Sequence, residues 1–556
     1  TTYHTFTSLD LGVSFTPPFT ILPLHATRAA QSPATLGPSA FYHLRRAKCI
    51  PSRRLTVPVV PYKLGLPVSN ALAVNTCPPV DIYGPVIEEH VPVVPNRSLA
   101  TLLAALDKRC NYRTTDRAHK SIVDASMHLL HRIAPSAQDP LDWTMDRFRE
   151  WNSQFSPEKQ ARQNEAARLI SDITTRDFSD KQVFVKMEAL LKRHDTNWAP
   201  RIIYQSSDLH NALLGPIMQA CTKRMFALMH AASDSGTHVM GAYAKTTEEI
   251  CQHMDRHADN SLFISTDFTA NDSSQVKDVH MLEVAWLRRL GAPVWLTGLM
   301  LVASKFNVRN RLFKVRMHIE NQLPTGAQST TFRNSMWNAT IMEAFCLFVD
   351  RYGTACILGD DNILRLDKTS RSQRFYRRAY EHVSRLARMV VKVSTRRTLE
   401  GCPFLSKYFV RLPSGPVMVP FLGKAIARFN VNPKAPCPAP DAYLAGKALS
   451  YAYEFRHFAP ISRLYYGKFV SYGGALDDSG LGWVVRQVYR RLGKDGFLDA
   501  IKHPSAHGSL DDFTGFLHGL CGLTAGDYYI ATAQVLFGEE DLYVDGLAFL
   551  TDEWLG

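Results

Sequence analysis

The sequence predicts an α+β protein. Two observations carry this. Short β-rich apolar runs occur near 183–206, at 261–268 and at 354–366, and helical periodicity fills most of the chain between and after them. The first hundred residues stand apart, with 14 of the 31 prolines, in runs such as VPVVPYKLGLP (57–67) and EEHVPVVPN (89–97). Proline at that density blocks long helices, so residues 1–100 are expected to form an extended segment packed on the body and not a separate domain.

Helical patterns begin with SLATLLAALDKRC (98–110). VFVKMEALLKR and RIIYQS introduce strand-like pieces around 183–206, and SLFISTDF (261–268) is a β-rich run ending in an aspartate. QVKDVHMLEVAWLRRLG (275–291) reads as a helix, and APVWLTGLMLVAS (292–304) as a core helix too short to span a bilayer. A long helix is expected over about 327–352. TACILGDDNILRL (354–366) reads as strand–turn–strand, and the chain after 425 as mostly helical.

At 556 residues the chain can bury a large core, and its 46% apolar and 21% charged content is ordinary for a globular protein. The net charge of +13 is not ordinary, and it favours a polyanionic partner, nucleic acid ahead of membrane. Residues 370–411 alone carry eleven Lys/Arg against two Glu, with Phe375, Tyr376 and Tyr380 interleaved. Such a stretch can track a nucleic-acid backbone, although a solvated helix face would account for part of it. The ten cysteines lack CxxC or zinc spacing and are read as reduced thiols of a cytosolic protein, and the N-terminus lacks signal-peptide character.

The paired aspartates Asp360 and Asp361 need a reason. Gly-Asp-Asp-Asn is good turn chemistry, yet a hairpin tip needs at most one carboxylate. Asp267 ends an apolar strand upstream, and Asp272 follows five residues later where a turn enters a helix, a position that also suits a helix cap. Carboxylates gathered at strand ends are tolerable where divalent cations neutralise them. Between the two segments, Thr330, Asn334 and Asn338 fall at i, i+4 and i+8 on one helix face, behind a loop containing Thr325 and Gly326.

Asp-x4-Asp, then Thr-Gly-x3-Thr-x3-Asn, then Gly-Asp-Asp, in this order, resemble motifs A, B and C of the RNA-dependent RNA polymerases of positive-strand RNA viruses. The resemblance implies a right hand of fingers, palm and thumb, the palm an antiparallel sheet flanked by helices. It divides the chain into an N-terminal extension (1–100), fingers (101–260), palm (261–275), fingers (276–321), palm (322–420) and thumb (421–556). It implies RNA-templated RNA synthesis with two Mg²⁺ ions, Mn²⁺ as a substitute, held by Asp267, Asp360 and Asp361. Asp272 and Asn334 would read the ribose 2′-hydroxyl, with Thr325, Gly326 and Thr330 beside them; Thr325 stands where the family usually has Ser.

FVKMEALLKRHDTNWAPRII (184–203) resembles the basic motif that holds the triphosphate, which points to Lys186, Lys192 and Arg201. RMVVKVSTRR (388–397) resembles motif D, with Lys392 as general acid and Arg396 as rival, and CPFLSKYFV (402–410) the primer grip, at Phe404, Leu405, Ser406 and Lys407. Implied partners are the RNA template, nascent RNA and ribonucleoside triphosphates, and at one remove other viral replication proteins and host membranes, in a replication complex in the host cytoplasm. FVKMEALLK…APRII leans toward nodavirus- and tombusvirus-like enzymes, DFTANDSSQ and TTFRNSMWN toward alphavirus-like ones. Two rivals stay open: a reverse transcriptase, opposed by Asp272 and Gly359 where that family places a bulky residue and an aromatic, and a basic RNA-binding or capsid protein.

Overall fold

A computed structural model of the chain describes residues 42–45, 81–87, 95, 98–110, 117–188, 200–232, 236–255, 260–432, 437, 439–473 and 480–541. The remainder of the expected N-terminal extension, and Lys192, lie outside these residues.

A central sheet of five strands runs in the order Val391–Arg396, Leu262–Phe268, Asp361–Leu366, Gly353–Leu358, His238–Gly241. The first three junctions are antiparallel and the last is parallel. Strand side chains alternate between faces, and both faces here are covered. Ile264, Leu364, Ala355 and Val393 pack beneath the helices Lys120–Ile133, Asp208–Ala231, Thr330–Val349 and Gln373–Leu386. Phe263, Ile363, Cys356 and Met240 pack on the other side against Phe404, Phe409 and Met418. Burial on both faces is why the inner strands read as mostly apolar runs, whereas the edge strand Val391–Arg396 alternates, with Lys392, Ser394 and Arg396 exposed.

A second five-stranded sheet, in the order Tyr42–Arg45, Val315–Glu320, Lys305–Asn310, Asp180–Val185, Ile202–Gln205, shares its core with the helix Leu99–Cys110. The 305–320 hairpin is absent from the sequence expectations. Its outward residues are mostly charged or polar (KFNVRN, VRMHIE), which hides the buried Phe306, Val308, Val315, Met317 and Ile319. A three-stranded meander, Pro403–Phe404, Lys407–Leu412 and Gly415–Pro420, leads into the expected C-terminal helices, of which Pro440–Glu454, Ala459–Ser471, Trp483–Lys502, Leu510–Cys521 and Ala525–Phe537 share one core. Two described pieces of the first hundred residues add strands to distant parts: Tyr42–Arg45 pairs in parallel with Val315–His318, and Asp81–Ile82 pairs with Val431–Asn432.

The 292–304 segment forms the helix Val294–Val302, with Leu296, Thr297 and Met300 buried. Among the described residues no helix is long and apolar enough to cross a membrane.

Candidate active site

The strand register brings the acidic residues together. Asn362 lies opposite Thr266, so the next residues along the same ladder set Asp361 beside Asp267. On the far side of Asp267 the register places Lys392 directly opposite it. Cross-strand partners share a face, so Asp361, Asp267 and Lys392 form one row across three strands. Arg396, the rival to Lys392, pairs with Phe263 at the other end of that strand.

Asp360 occupies the turn with Gly359, whose φ of +65° is the left-handed conformation that glycine adopts without strain. The turn is held from below by the 330–349 helix. Gly359 N–H donates to Ser335 Oγ at 2.8 Å, and Asn338 Nδ2 donates to the Gly359 carbonyl at 3.2 Å. Asn362 Nδ2 donates to Asn338 Oδ1 at 2.5 Å and to Thr266 Oγ1 at 2.6 Å, tying the hairpin to both the helix and the Asp267 strand. Asn338, read from the sequence as part of a polar stripe, therefore positions the turn. Thr330 stands apart from this cluster and donates to the Ala327 carbonyl at 2.9 Å.

Asp360 and Asp361 reach solvent, yet enough protein surrounds them to perturb their titration. Burial raises the Asp360 carboxyl above its ordinary range, and Asp272 and Asp267 add to the rise. Burial, then Asp360 and Asp267, push Asp361 up to about 7, with Lys424 opposing. These groups resist ionising together, as expected of a site shaped for cationic charge. Lys424, on the helix Leu422–Arg428, carries no motif that would single it out in the sequence.

Asp272 is not a helix cap. It sits inside the single turn Asn271–Ser274, whose cap is Ala270, and the following helix Lys277–Arg289 starts after Val276. Its carboxylate instead accepts hydrogen bonds from Thr325 Oγ1 and, at 2.8 Å, from Asn334 Nδ2. Asn334 Oδ1 accepts in turn from Gln275 Nε2 at 2.7 Å. Burial raises the Asp272 carboxyl, and the two donors partly offset it. The Thr325–Gly326 loop is tied down: Tyr204 N–H donates to the Thr325 carbonyl at 3.1 Å. A Cβ on Gly326, whose φ is +98°, would sit 2.9 Å from the Tyr204 carbonyl oxygen.

The remaining candidates fall on the borders of this cluster. Arg201 grips Glu188 through both arms of its guanidinium, with Nε to Oε1 at 2.6 Å, and Lys186 joins the same carboxylate at 3.2 Å. Glu188, the largest influence, raises the Arg201 pKa, and Asp360 is close enough to add to it. Phe404 is buried under the central sheet, and Leu405 and Ser406 form a tight turn with φ of +52° and +58°. Lys407 Nζ donates to Glu454 at 2.6 Å. In the basic stretch Tyr376 and Tyr380 are core residues, and Phe375 alone of the three aromatics is exposed.

A family model described as RNA dependent RNA polymerase matches residues 74–432, more than half of the chain. Among curated proteins none matches.

Proposed function

Because the chain belongs to the RNA-dependent RNA polymerases of positive-strand RNA viruses, nucleotidyltransferases that make RNA on an RNA template, we propose that the Asp267, Asp360 and Asp361 cluster is its catalytic centre. The observation that carries this is the register, which gathers Asp267, Asp361 and Lys392 at one end of the central sheet, with Asp360 in the adjoining turn. The central sheet then serves as palm, the 180–205 and 305–320 strands with their helices as fingers, and the helices after 421 as thumb.

The three carboxylates suit a pair of hard divalent cations such as Mg²⁺, with Asp267, Asp360 and Asp361 as oxygen ligands. When bound, such ions neutralise the triphosphate and make the attacking hydroxyl more acidic. The protein's own groups supply the rest. Ser335, Asn338 and Asn362 fix the turn that carries Asp360, so its carboxylate is aimed before substrate arrives. Lys392 Nζ delivers a proton to the departing pyrophosphate oxygen. Arg201 exchanges Glu188 for phosphate oxygens of the incoming nucleotide, a substitution that suits its planar fork. Asp272 and Asn334 hold the 2′-hydroxyl. The nascent strand rests on the Leu405–Ser406 turn.

A chelation assay tests the cation requirement. Nucleotide incorporation on an RNA template should stop with EDTA in excess and return with millimolar Mg²⁺ or Mn²⁺. Incorporation that continues at full rate under chelation would refute it.

A further inference from the structure

We propose that His230, His238 and His253 form a second metal site, for a borderline transition ion such as Zn²⁺, which clips the end of a long helix to the edge of the central sheet. One ligand nitrogen from each ring lies within 4.8 Å of those of the other two. His238 Nε2 and His230 Nδ1 are 3.0 Å apart, and the ring centroids are separated by 4.7, 4.7 and 6.0 Å. Two imidazole nitrogens this close must share either a proton or a cation. Around a tetrahedral Zn²⁺ with bonds of about 2.0–2.1 Å, ligand nitrogens stand about 3.3–3.4 Å apart, so the set closes on an ion by contracting from within its 4.8 Å spread.

The surroundings match the chemistry. His253 Nε2 donates to the Ala355 carbonyl at 3.0 Å, which helps to fix its ring. Metal-binding histidines are commonly oriented by such a bond to a backbone carbonyl. Among the described residues the group contains no carboxylate, and three imidazoles favour Zn²⁺ over Mg²⁺. His253 is buried and His230 exposed, so the site has both an anchored ligand and an entry side.

The three histidines come from three elements. His230 lies in the last turn of the helix Asp208–Ala231, His238 opens the edge strand His238–Gly241, and His253 lies in the helix Thr247–Met254. His238 pairs with Thr354, at the opposite end of the strand Gly353–Leu358 from the paired aspartates, which is about 15 Å along the strand. The site is thus separate from the catalytic row, and it does not depend on the polymerase reading. A bound ion would lock the edge strand in place, and a fourth position would be left to water.

The test uses the full chain, stripped with EDTA and dialysed into millimolar Mg²⁺ so that the catalytic carboxylates are occupied, then given Zn²⁺ or Co²⁺. The parental protein should retain one equivalent of Zn²⁺ by elemental analysis, and the Co²⁺ form should show visible bands of a nitrogen-ligated ion. His230→Ala and His238→Ala should each weaken Zn²⁺ binding by at least about a hundredfold. Asp360→Asn should bind Zn²⁺ as the parent does. Zn²⁺ should raise the Tm of the parent and of Asp360→Asn, and leave the histidine variants unmoved. His230 is exposed, so its variant should fold normally and keeps the test decisive. Zn²⁺ retention that is absent in the parent, or equal in the histidine variants, would show that the three imidazoles only share protons.

Discussion

Asp360→Asn is expected to lower nucleotide incorporation by at least about a thousandfold while the protein still folds and still binds RNA. The amide keeps the shape of the side chain and can be accommodated in the Gly359 turn. It removes the charge that would hold a divalent cation and adds a donor where an acceptor is wanted. The sign of the stability effect separates this from a folding defect. Asp360 has its pKa raised in the folded protein, by burial and by Asp272 and Asp267. A carboxyl with a raised folded-state pKa prefers its neutral form there, so its ionisation opposes folding at neutral pH, and the opposition fades as pH falls through the folded pKa. Replacing it should therefore leave the Tm of the metal-free protein at pH 7.5 unchanged or higher. Activity lost together with several degrees of Tm would point to a structural role, and near-parental incorporation with Mg²⁺ would remove Asp360 from the metal site.

Sugar discrimination is the second large effect. Asp272 and Asn334 are joined at 2.8 Å across two chain segments, with Thr325 on the same carboxylate. A ribonucleotide can exchange into this network through its 2′-hydroxyl, which both donates and accepts. A deoxynucleotide leaves at least one polar group unpaired, at a cost of about 1–3 kcal/mol. That corresponds to about a five- to 150-fold preference from this contact. Asp272→Ala and Asn334→Ala should each lower kcat/KM for ATP more than for dATP opposite the same template base, and so narrow the ratio between them. Variants that keep the parental ratio would reduce the trio to a device that only packs the 323–330 loop against the helix.

The carboxylates proposed as catalytic are legible in the sequence because each marks the end of a short apolar strand or lies in a turn, where local pattern is informative. Asp267, Asp360 and Asp361 converge because strand pairing converts sequence order into adjacency. The helix 330–349 is equally legible, as Asn334 and Asn338 stand out among its apolar residues, although both are buried.

What escapes is whatever depends on a distant partner. Asp272 is compatible with a cap until Thr325 and Asn334, 53 and 62 residues away, claim its carboxylate. Ser335 looks like an ordinary small helix residue, and nothing local says that its hydroxyl receives the Gly359 amide. Lys424 is one cation among 64 Lys and Arg, and only the packing of its helix beside the paired aspartates distinguishes it. Tyr376 and Tyr380 mislead in the opposite direction, since aromatics within a basic run suit base stacking, whereas their helical spacing places them in the core.

Template-directed synthesis tests the central claim most directly. The purified chain is given Mg²⁺, one labelled ribonucleotide at a time, and homopolymeric RNA templates. The account predicts labelled product only when the nucleotide complements the template: AMP on poly(U), GMP on poly(C), and none in the mismatched pairs or with Asp360→Asn. Incorporation that ignores the template, or that persists in Asp360→Asn, would contradict it.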